Sequence, residues 1–236
     1  MEAVYGQKVH LYDVQGDYGL FRLVSLVSGS SRPTYVGWIA MNRVQDVSVK
    51  ASHRITTLSA PVFSQPDLKT HIKVSLPLGA QICVGEETDK YVSIGDGKWL
   101  SNLHVKPLSA PEEDYVEVAQ RYLGQPYVWG GNGARGVDCS GLVQMSLAVC
   151  GIDSPRDADQ QEQSLGHRVD FNAGGNLPSL ERGDLLFWPG HVEILSASDR
   201  LLHANATHML CVDETLMPAL KRMSESGIEL RTIRRI

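Results

Sequence analysis

The chain has 236 residues, 42% hydrophobic and 21% charged, which is the composition of a globular protein long enough for two or three compact units. Its formal net charge of -5 gives no basic surplus, so nucleic acid is not an expected partner. No apolar run approaches the roughly 20 residues of a membrane span, and no signal peptide is visible. Four widely spaced cysteines without a Cys-x-x-Cys pair favour a reduced, cytoplasmic protein.

Residues 1–107 contain short strand patterns separated by turns. "KVHLYDV" and "YGLFRLV" flank "QGD", which indicates a hairpin, and "TYVGWIAM" follows as a third strand. A second set of strands then echoes the first, since "GWIAMNRV" is matched by the later "KWLSNLHV". A repeat of roughly 60 to 70 residues built from such short strands favours two small barrels, residues 1–50 and 51–107. The same pattern also fits a first barrel that is truncated or processed at its start.

The pattern becomes helical after residue 107. Ser109 and Glu112 predict a capping box, and apolar residues then recur at helical spacing from Tyr115 until Gly124. Strand-like runs, "DLLFWPGHVEIL" and "LLHANA", come later in the chain. Helices followed by strands predict an α+β domain over residues 108–236.

A second helix follows the glycine-rich stretch "QPYVWGGNGARGVDCSGL". Asp138 is its expected N-cap and Gly151 its expected stop, and its apolar character on all sides predicts that it is buried. Cys139 therefore lies in the first turn, where unpaired N–H groups and the helix dipole favour a thiolate nucleophile. The loop glycines would let a substrate backbone approach. A buried structural thiol is the alternative, and it is our interpretation of the other cysteines, Cys83, Cys150 and Cys211.

A thiolate nucleophile needs a base, and His191 and His203 are the candidates. If a hairpin pairs Leu195 with Leu201, then Glu193 lies opposite His203, and both imidazoles share one face of the sheet. Glu193 is a rival partner for His191, because a carboxylate holds an imidazolium more strongly than a second imidazole does. The residues alone leave both partners open.

Six short motifs carry a resemblance to a known family: "YVWGG", "DCSGL", "PRDADQQ", "RGDLLFW", "GHVEIL" and "LLHANA". They occur in the order found in NlpC-type cell-wall peptidases, which are papain-like cysteine peptidases. The resemblance covers residues 112–235, and residues 1–107 resemble bacterial SH3-like domains more loosely. It implies an α+β fold in which two small SH3-like barrels precede a papain-like NlpC-type catalytic domain.

The resemblance also implies roles for individual residues. Cys139 would be the nucleophile, His191 the general base, and His203 the third member that orients the base, in preference to Glu193. Two positions depart from the family: Glu193 stands where a small residue is common, and Ala158 where Ser or Thr is common. The residues implied at the oxyanion or the substrate are Tyr35, Tyr127, Asp138, Ser140, Arg156 and Asp157.

The activity implied is hydrolysis of the γ-D-glutamyl to diamino acid bond of peptidoglycan stem peptides. The expected substrate is L-Ala-γ-D-Glu-diamino acid with a free amino terminus, in cell-wall turnover or recycling, and no cofactor or metal is expected. An amidase or acyltransferase with the same Cys-His pair, or a non-catalytic cell-wall-binding protein, are the alternatives. A zinc site from His191, His203 and His208 is disfavoured, because His208 has the opposite strand parity if its strand continues.

Overall fold

The computed structural model describes residues 2–27, 29–30, 35–45, 50–133, 135–171 and 178–236. The chain divides into two compact units, Glu2–Glu112 and Glu113–Ile236. Among the described residues, no helix has both the length and the apolar character of a membrane span.

The described part of the amino-terminal unit consists of short strands in three sheets, with strand orders β1-β2-β3, β10-β4-β7 and β6-β5-β9-β8. The strands are β1 (Val9–Gln15), β2 (Tyr18–Leu23), β3 (Val36–Ala40), β4 (His53–Ile55), β5 (Ser59–Phe63), β6 (Ile72–Pro77), β7 (Gln81–Ile82), β8 (Tyr91–Ser93), β9 (Trp99–Ser101) and β10 (Val105–Pro107). Short 3-10 helices follow β3 and β9, at Met41–Arg43 and Asn102–His104.

The first hairpin has the predicted form. β1 and β2 pair antiparallel with Gln15 opposite Tyr18, and β3 adds to β2 with Trp38 opposite Leu20. Gly16 sits in the turn at φ +57°, a conformation that glycine adopts without strain. The three sheets do not close into a barrel among the described residues. The two SH3-like barrels, with boundaries at residues 50 and 107, therefore stay predictions.

The carboxy-terminal unit mixes helices and strands, as the α+β prediction requires. Its elements are α1 (Tyr115–Gln120), β11 (Asn132–Gly133), β12 (Gly136–Val137), α2 (Cys139–Val149), α3 (Ala158–Ser164), β13 (His167–Val169), β14 (Leu185–Trp188), β15 (His191–Ala197), β16 (Arg200–Asn205), β17 (Leu210–Thr215), α4 (Leu216–Glu225) and β18 (Thr232–Arg235). Six of these strands form one antiparallel sheet in the order β13-β18-β14-β15-β16-β17. The last strand in the chain thus lies inside the sheet.

The start of α1 differs from the sequence-based prediction. The carboxylate of Asp114 accepts hydrogen bonds from the N–H groups of Val116 at 2.8 Å and Glu117 at 3.3 Å, so Asp114 is the N-cap. The capping box predicted at Ser109 and Glu112 is wrong, because both residues lie upstream of the residue that flanks the helix. An Asp directly before the first helical residue satisfies the free N–H groups better.

Helix α2 has the predicted caps and burial. Asp138 accepts a hydrogen bond from Gly141 N–H at 2.7 Å, and Gly151 follows the helix with φ +78°. Every residue of α2 except Gln144 is buried, as expected for a helix that is apolar on all sides.

Helix α4 covers one part of the large sheet. Its Leu216 and Ala219 pack in a buried cluster with sheet residues. The sheet residues of this cluster are Leu186, Trp188, Leu195, Leu201 and Ile233. This packing fixes α4 beside the strands that carry the two candidate histidines.

Candidate active site

Cys139 is the first residue of α2 and is 7% exposed. Its backbone N–H has no partner within the helix, because the first turn of any α-helix leaves its N–H groups unpaired inside the helix. The thiol therefore lies beside donors that stabilise negative charge. This is the environment that the sequence predicted for a nucleophile.

The loop before Cys139 packs directly against α2. A Cβ atom on Gly141 would lie 2.3 Å from the carbonyl oxygen of Gly131, and one on Gly136 would lie 2.4 Å from that of Pro126. Gly136 also has φ +140°, which side-chain-bearing residues rarely adopt. These glycines are thus required for close packing of backbone on backbone. The expectation that the loop glycines let a substrate backbone approach stays a prediction.

The hairpin that carries the histidines has the predicted register. In β15 and β16, Leu195 lies opposite Leu201 and Ile194 opposite Leu202, so continuation of the pairing places Glu193 opposite His203. His191 lies two residues before Glu193 in β15 and therefore on the same face of the sheet. The parity argument is confirmed.

His191 contacts the candidate nucleophile and two further side chains. Its Nε2 atom lies 3.2 Å from Oε1 of Glu193 and 3.1 Å from Nδ1 of His203, and the ring is also hydrogen-bonded to the Cys139 side chain. Burial lowers the pKa of His191, but the hydrogen bonds to Cys139 and Glu193 and their negative charges outweigh it and raise the pKa to about 10. The imidazole is therefore protonated at neutral pH.

Glu193 is fully buried between the two histidines. Its Oε1 atom lies 2.6 Å from Nδ1 of His203, and its Oε2 atom has no hydrogen-bond partner within the described structure. Burial raises the pKa of Glu193, but the hydrogen bonds from His191 and His203 overcome it and lower the pKa to about 2. The sequence identified this residue only as a rival orienting group.

The other side of His203 contacts a second carboxylate that sequence reasoning missed. Nε2 of His203 lies 2.8 Å from Oε1 of Glu214, and Arg222 in α4 donates two hydrogen bonds to Glu214 at 2.6 and 2.7 Å. Burial raises the pKa of Glu214, but these partners lower it overall. Glu214 lies opposite Leu201, so a prediction of the β16–β17 pairing would have found it.

Asp138 forms a buried ion pair with Arg156. The guanidinium donates to Oδ1 at 2.9 Å and to Oδ2 at 2.7 Å, and it also donates to Oγ of Ser140 at 2.9 Å. The N–H groups of Gly130 and Gly141 complete the shell of the carboxylate, each at 2.7 Å. Three of the residues predicted to border the substrate are thus brought together, and they fix the loop to the start of α2.

Removing the charge of Asp138 should destabilise the fold. Asp138→Asn leaves Arg156, which is 6% exposed, without its counter-ion, and we expect a loss of about 3 kcal/mol in the free energy of unfolding. Urea denaturation measures it, with Asp159→Asn, an exposed carboxylate in α3, as the matched control. The double variant Asp138→Asn, Arg156→Met should recover part of the loss. A single variant as stable as the control would contradict a structural role for the pair.

The other predicted site residues lie at several places. Tyr127 is partly buried, and burial together with the charges of Cys139 and Asp138 raises its pKa, so its hydroxyl remains a donor at neutral pH. Asp157 precedes α3 and makes no capping hydrogen bond, and Ala158 is buried in the first turn of that helix. Tyr35, which is 41% exposed, lies before β3 in the amino-terminal unit, and its role at the cleft stays a prediction.

The parity argument for His208 does not apply, because its condition, that the strand continues to His208, is not met. Strand β16 ends at Asn205, and His208 lies in the following turn, where its N–H donates to Oδ1 of Asn205 at 2.8 Å and its ring centroid is 6.3 Å from that of His203. In the part of the chain that the structure describes, two groups have ligand atoms within 4.8 Å of one another: His191, Glu193 and His203, and His203, His208 and Glu214. The short distances in the first group are those of hydrogen bonds.

Comparison with known proteins supports the sequence resemblance. Residues 124–226 match the profile of the NlpC/P60 family. The chain is 34% identical over 172 residues to dipeptidyl-peptidase 6 of Lysinibacillus sphaericus, covering 66% of this chain and 61% of that protein. It is 23% identical over 238 aligned positions to the gamma-D-glutamyl-L-lysine dipeptidyl-peptidase of Bacillus subtilis (strain 168), covering 91% of this chain and 76% of that protein. The chain therefore spans less than two thirds of the first of these relatives.

A solved structure shows the same fold. The crystal structure of an NlpC/P60 family protein from Bacillus cereus has a TM-score of 0.79 over 99% of this chain and 80% of that chain, at 20% sequence identity. At this identity the likeness concerns the fold.

Proposed function

We propose that the protein is a cysteine peptidase that hydrolyses the γ-D-glutamyl to diamino acid bond of peptidoglycan stem peptides. The observation that carries the proposal is the hydrogen bond between Cys139, at the start of α2, and His191, whose raised pKa keeps it protonated. A thiolate beside an imidazolium combines a nucleophile with a proton donor. The likeness of residues 124–226 to the NlpC/P60 family supports this reaction class.

In the first half of the reaction, the Cys139 thiolate attacks the γ-carbonyl carbon of D-glutamate. The tetrahedral oxyanion accepts hydrogen bonds from the backbone N–H of Cys139 and the hydroxyl of Tyr127. The C–N bond then breaks, and the amine of the diamino acid leaves with a proton from His191. A thioester between Cys139 and the glutamyl group remains.

In the second half, water replaces the amine. His191, now neutral, removes a proton from the water as it attacks the thioester carbonyl carbon. The C–S bond breaks, which returns the thiolate, and the glutamyl γ-carboxylic acid is released and loses its proton to the solvent. The imidazolium is restored, so the same pair is ready for the next turnover.

The substrate class rests on the relatives. The B. subtilis relative is named for the γ-D-glutamyl-L-lysine bond, and two relatives are named dipeptidyl-peptidases. We extend both features to this chain: a γ-linked D-glutamate on the acyl side and a dipeptide released from a free amino terminus. The bond would be cut in the turnover or recycling of cell-wall peptides.

The experiment is mass spectrometry of L-Ala-γ-D-Glu-L-Lys and L-Ala-γ-D-Glu-meso-diaminopimelate after incubation with the protein. The expected products are L-Ala-D-Glu and the free diamino acid. The matched control peptide, L-Ala-α-D-Glu-L-Lys, differs only in the position of the scissile amide and should remain intact. Release of ammonia or transfer of the glutamyl group to an added amine, without hydrolysis, would instead indicate an amidase or an acyltransferase.

A free amino terminus should be needed for rapid cleavage. If a buried group recognises the ammonium of L-Ala, an N-acetylated peptide leaves that group unpaired, and we expect kcat/KM to fall by at least about 100-fold. Both oxygens of Asp138 already accept hydrogen bonds within the protein, so a substitution of Asp138 would disturb those contacts. The test therefore changes the substrate and leaves Asp138 intact. Steady-state rates are compared for the free, the N-acetylated and the muramic acid-linked peptide. Equal rates would refute the requirement.

A further inference from the structure

Three polar groups beside Cys139 lie within hydrogen-bond distance of one another, but their protons cannot make all three contacts hydrogen bonds. Nε2 of His191, Nδ1 of His203 and Oε1 of Glu193 are separated by 3.1, 3.2 and 2.6 Å. Each ring nitrogen either carries a proton and donates, or carries a lone pair and accepts. The three distances therefore select among the possible hydrogen bonds.

The shortest contact decides the arrangement. A lone pair on Nδ1 of His203 would face a carboxylate oxygen at 2.6 Å, and two acceptors repel at that distance. Nδ1 therefore carries a proton and donates it to Glu193. A nitrogen that donates has no lone pair left, so it cannot accept a proton from Nε2 of His191. The only acceptor left for that Nε2–H within this group is Oε1 of Glu193, at 3.2 Å.

We propose that Glu193 is the positioning residue for His191. In this arrangement the hydrogen-bond partner of Nδ1 of His203 is Glu193, and not His191. This inference rests on the proposed function, because it assigns the orienting group of the same nucleophile and base. It reverses the order that the family resemblance implies, in which His203 is the direct partner. Glu193 is the position at which the chain departs from that resemblance.

The surroundings of Glu193 support this order. Signs alternate along a line of side chains on five elements: the thiolate of Cys139, the imidazolium of His191, the carboxylate of Glu193, His203, the carboxylate of Glu214 and the guanidinium of Arg222. The positive charge of Arg222 also interacts favourably with the negative charge of Glu193. His208 also lies near His203, with ring centroids 6.3 Å apart.

Nε2 of His203 likewise has more neighbours than it can hydrogen-bond. Glu214 Oε1 lies at 2.8 Å and the Asn205 amide nitrogen at 2.9 Å, and Nε2 can satisfy one of these partners. Donation to Glu214 is charge-assisted and therefore the stronger bond. His203 then donates a hydrogen bond from each ring nitrogen, from Nδ1 to Glu193 and from Nε2 to Glu214.

The unpartnered Oε2 atom of Glu193 makes it possible to test the charge of this residue with one substitution. Glu193→Gln is isosteric, its amide oxygen can still accept from both rings, and its amide nitrogen replaces an oxygen that bonds nothing in the described structure. The substitution removes the charge while keeping the shape. A change in the behaviour of His191 would therefore report the charge.

The wild-type protein allows a direct measurement that needs no substrate. In a long-range ¹H–¹⁵N correlation spectrum of protein labelled at histidine nitrogens, Nδ1 of His203 should carry a proton at neutral pH. Signals are assigned from their loss in His203→Asn. An unprotonated Nδ1 of His203 would overturn the proposal, because that nitrogen would then be the acceptor for His191.

The variants give a second measurement through pH. Wild-type turnover of L-Ala-γ-D-Glu-L-Lys should fall as pH rises through about 10, where His191 loses its proton. Glu193→Gln should move this fall to lower pH and reduce kcat/KM at pH 9 by about tenfold or more, whereas His203→Asn, which retains an N–H donor, should cost less. Glu225→Gln, an exposed carboxylate in α4, is the matched control. An unshifted profile, or a larger loss in His203→Asn, would refute the assignment.

Alkylation of Cys139 separates this inference from the proposed function. The rate of Cys139 carboxamidomethylation at pH 6, followed by peptide mass spectrometry, reports the thiolate–imidazolium pair without any peptide substrate. Glu193→Gln should lower this rate relative to wild type and Glu225→Gln. If wild type cleaves neither peptide, the proposed function fails, while the alkylation rates and the histidine spectrum still decide the role of Glu193.

Discussion

Cys139→Ala is expected to abolish hydrolysis of L-Ala-γ-D-Glu-L-Lys, with a loss of roughly 10⁴-fold or more in kcat. No other described side chain beside His191 offers a thiolate, so the covalent route is lost completely. The fold should persist, because the change removes one sulfur atom from the first turn of α2, whose caps and buried face are untouched. Product formation is followed by mass spectrometry, and circular dichroism monitors the fold.

The matched control is Cys150→Ala at the other end of the same helix, which should retain wild-type turnover. Cys139→Ser tests whether an oxygen nucleophile can substitute, and we expect it to be nearly as inactive, because the imidazolium pairs with a thiolate. If purified Cys139→Ala still hydrolyses the peptide at a tenth of the wild-type rate, Cys139 is not the nucleophile.

His191→Ala should be almost as damaging as the loss of the nucleophile. The variant lacks the proton donor for the leaving amine and the counter-charge for the thiolate, so kcat should fall by roughly 10³-fold or more. Because the two residues act as one unit, the double variant Cys139→Ala, His191→Ala should be no worse than Cys139→Ala alone.

Steady-state kinetics at pH 7 measures all three variants. His167→Ala, an exposed histidine in β13, is the control and should match wild type. A double variant that is clearly slower than both single variants would mean that the residues act independently, and a His191→Ala variant within tenfold of wild type would remove His191 from the chemistry.

Local sequence patterns were sufficient for the parts of the site that depend on local geometry. Asp138 is an N-cap because a short acidic side chain can fold back onto the free N–H groups of the next turn, as it does at 2.7 Å. The partner of His203 in the hairpin follows from strand parity, because the pairing of Leu195 with Leu201 sets the register from Leu195 back to Glu193.

The parts that the sequence did not predict depend on contacts between distant segments. Glu214 contacts His203 because β17 pairs with β16, and Arg222 contacts Glu214 because α4 packs on the sheet; neither contact leaves a local pattern. The position of His208 follows from the turn that begins after Asn205, where β16 ends. The choice between Glu193 and His203 depends on distances of a few tenths of an ångström, which no residue pattern encodes.

The place of β18 in the sheet has a consequence for how the protein would be synthesised and folded. Thr232–Arg235 pairs with β14 on one side and β13 on the other, and Arg235 donates two hydrogen bonds to the buried carboxylate of Asp184, at 2.7 and 2.8 Å. The ribosome completes Cys139, His191 and Glu193 well before these residues leave its tunnel. The nascent chain thus carries every reacting group while its sheet still has a gap beside β14. Hydrolytic competence would arrive only when β18 has joined the sheet.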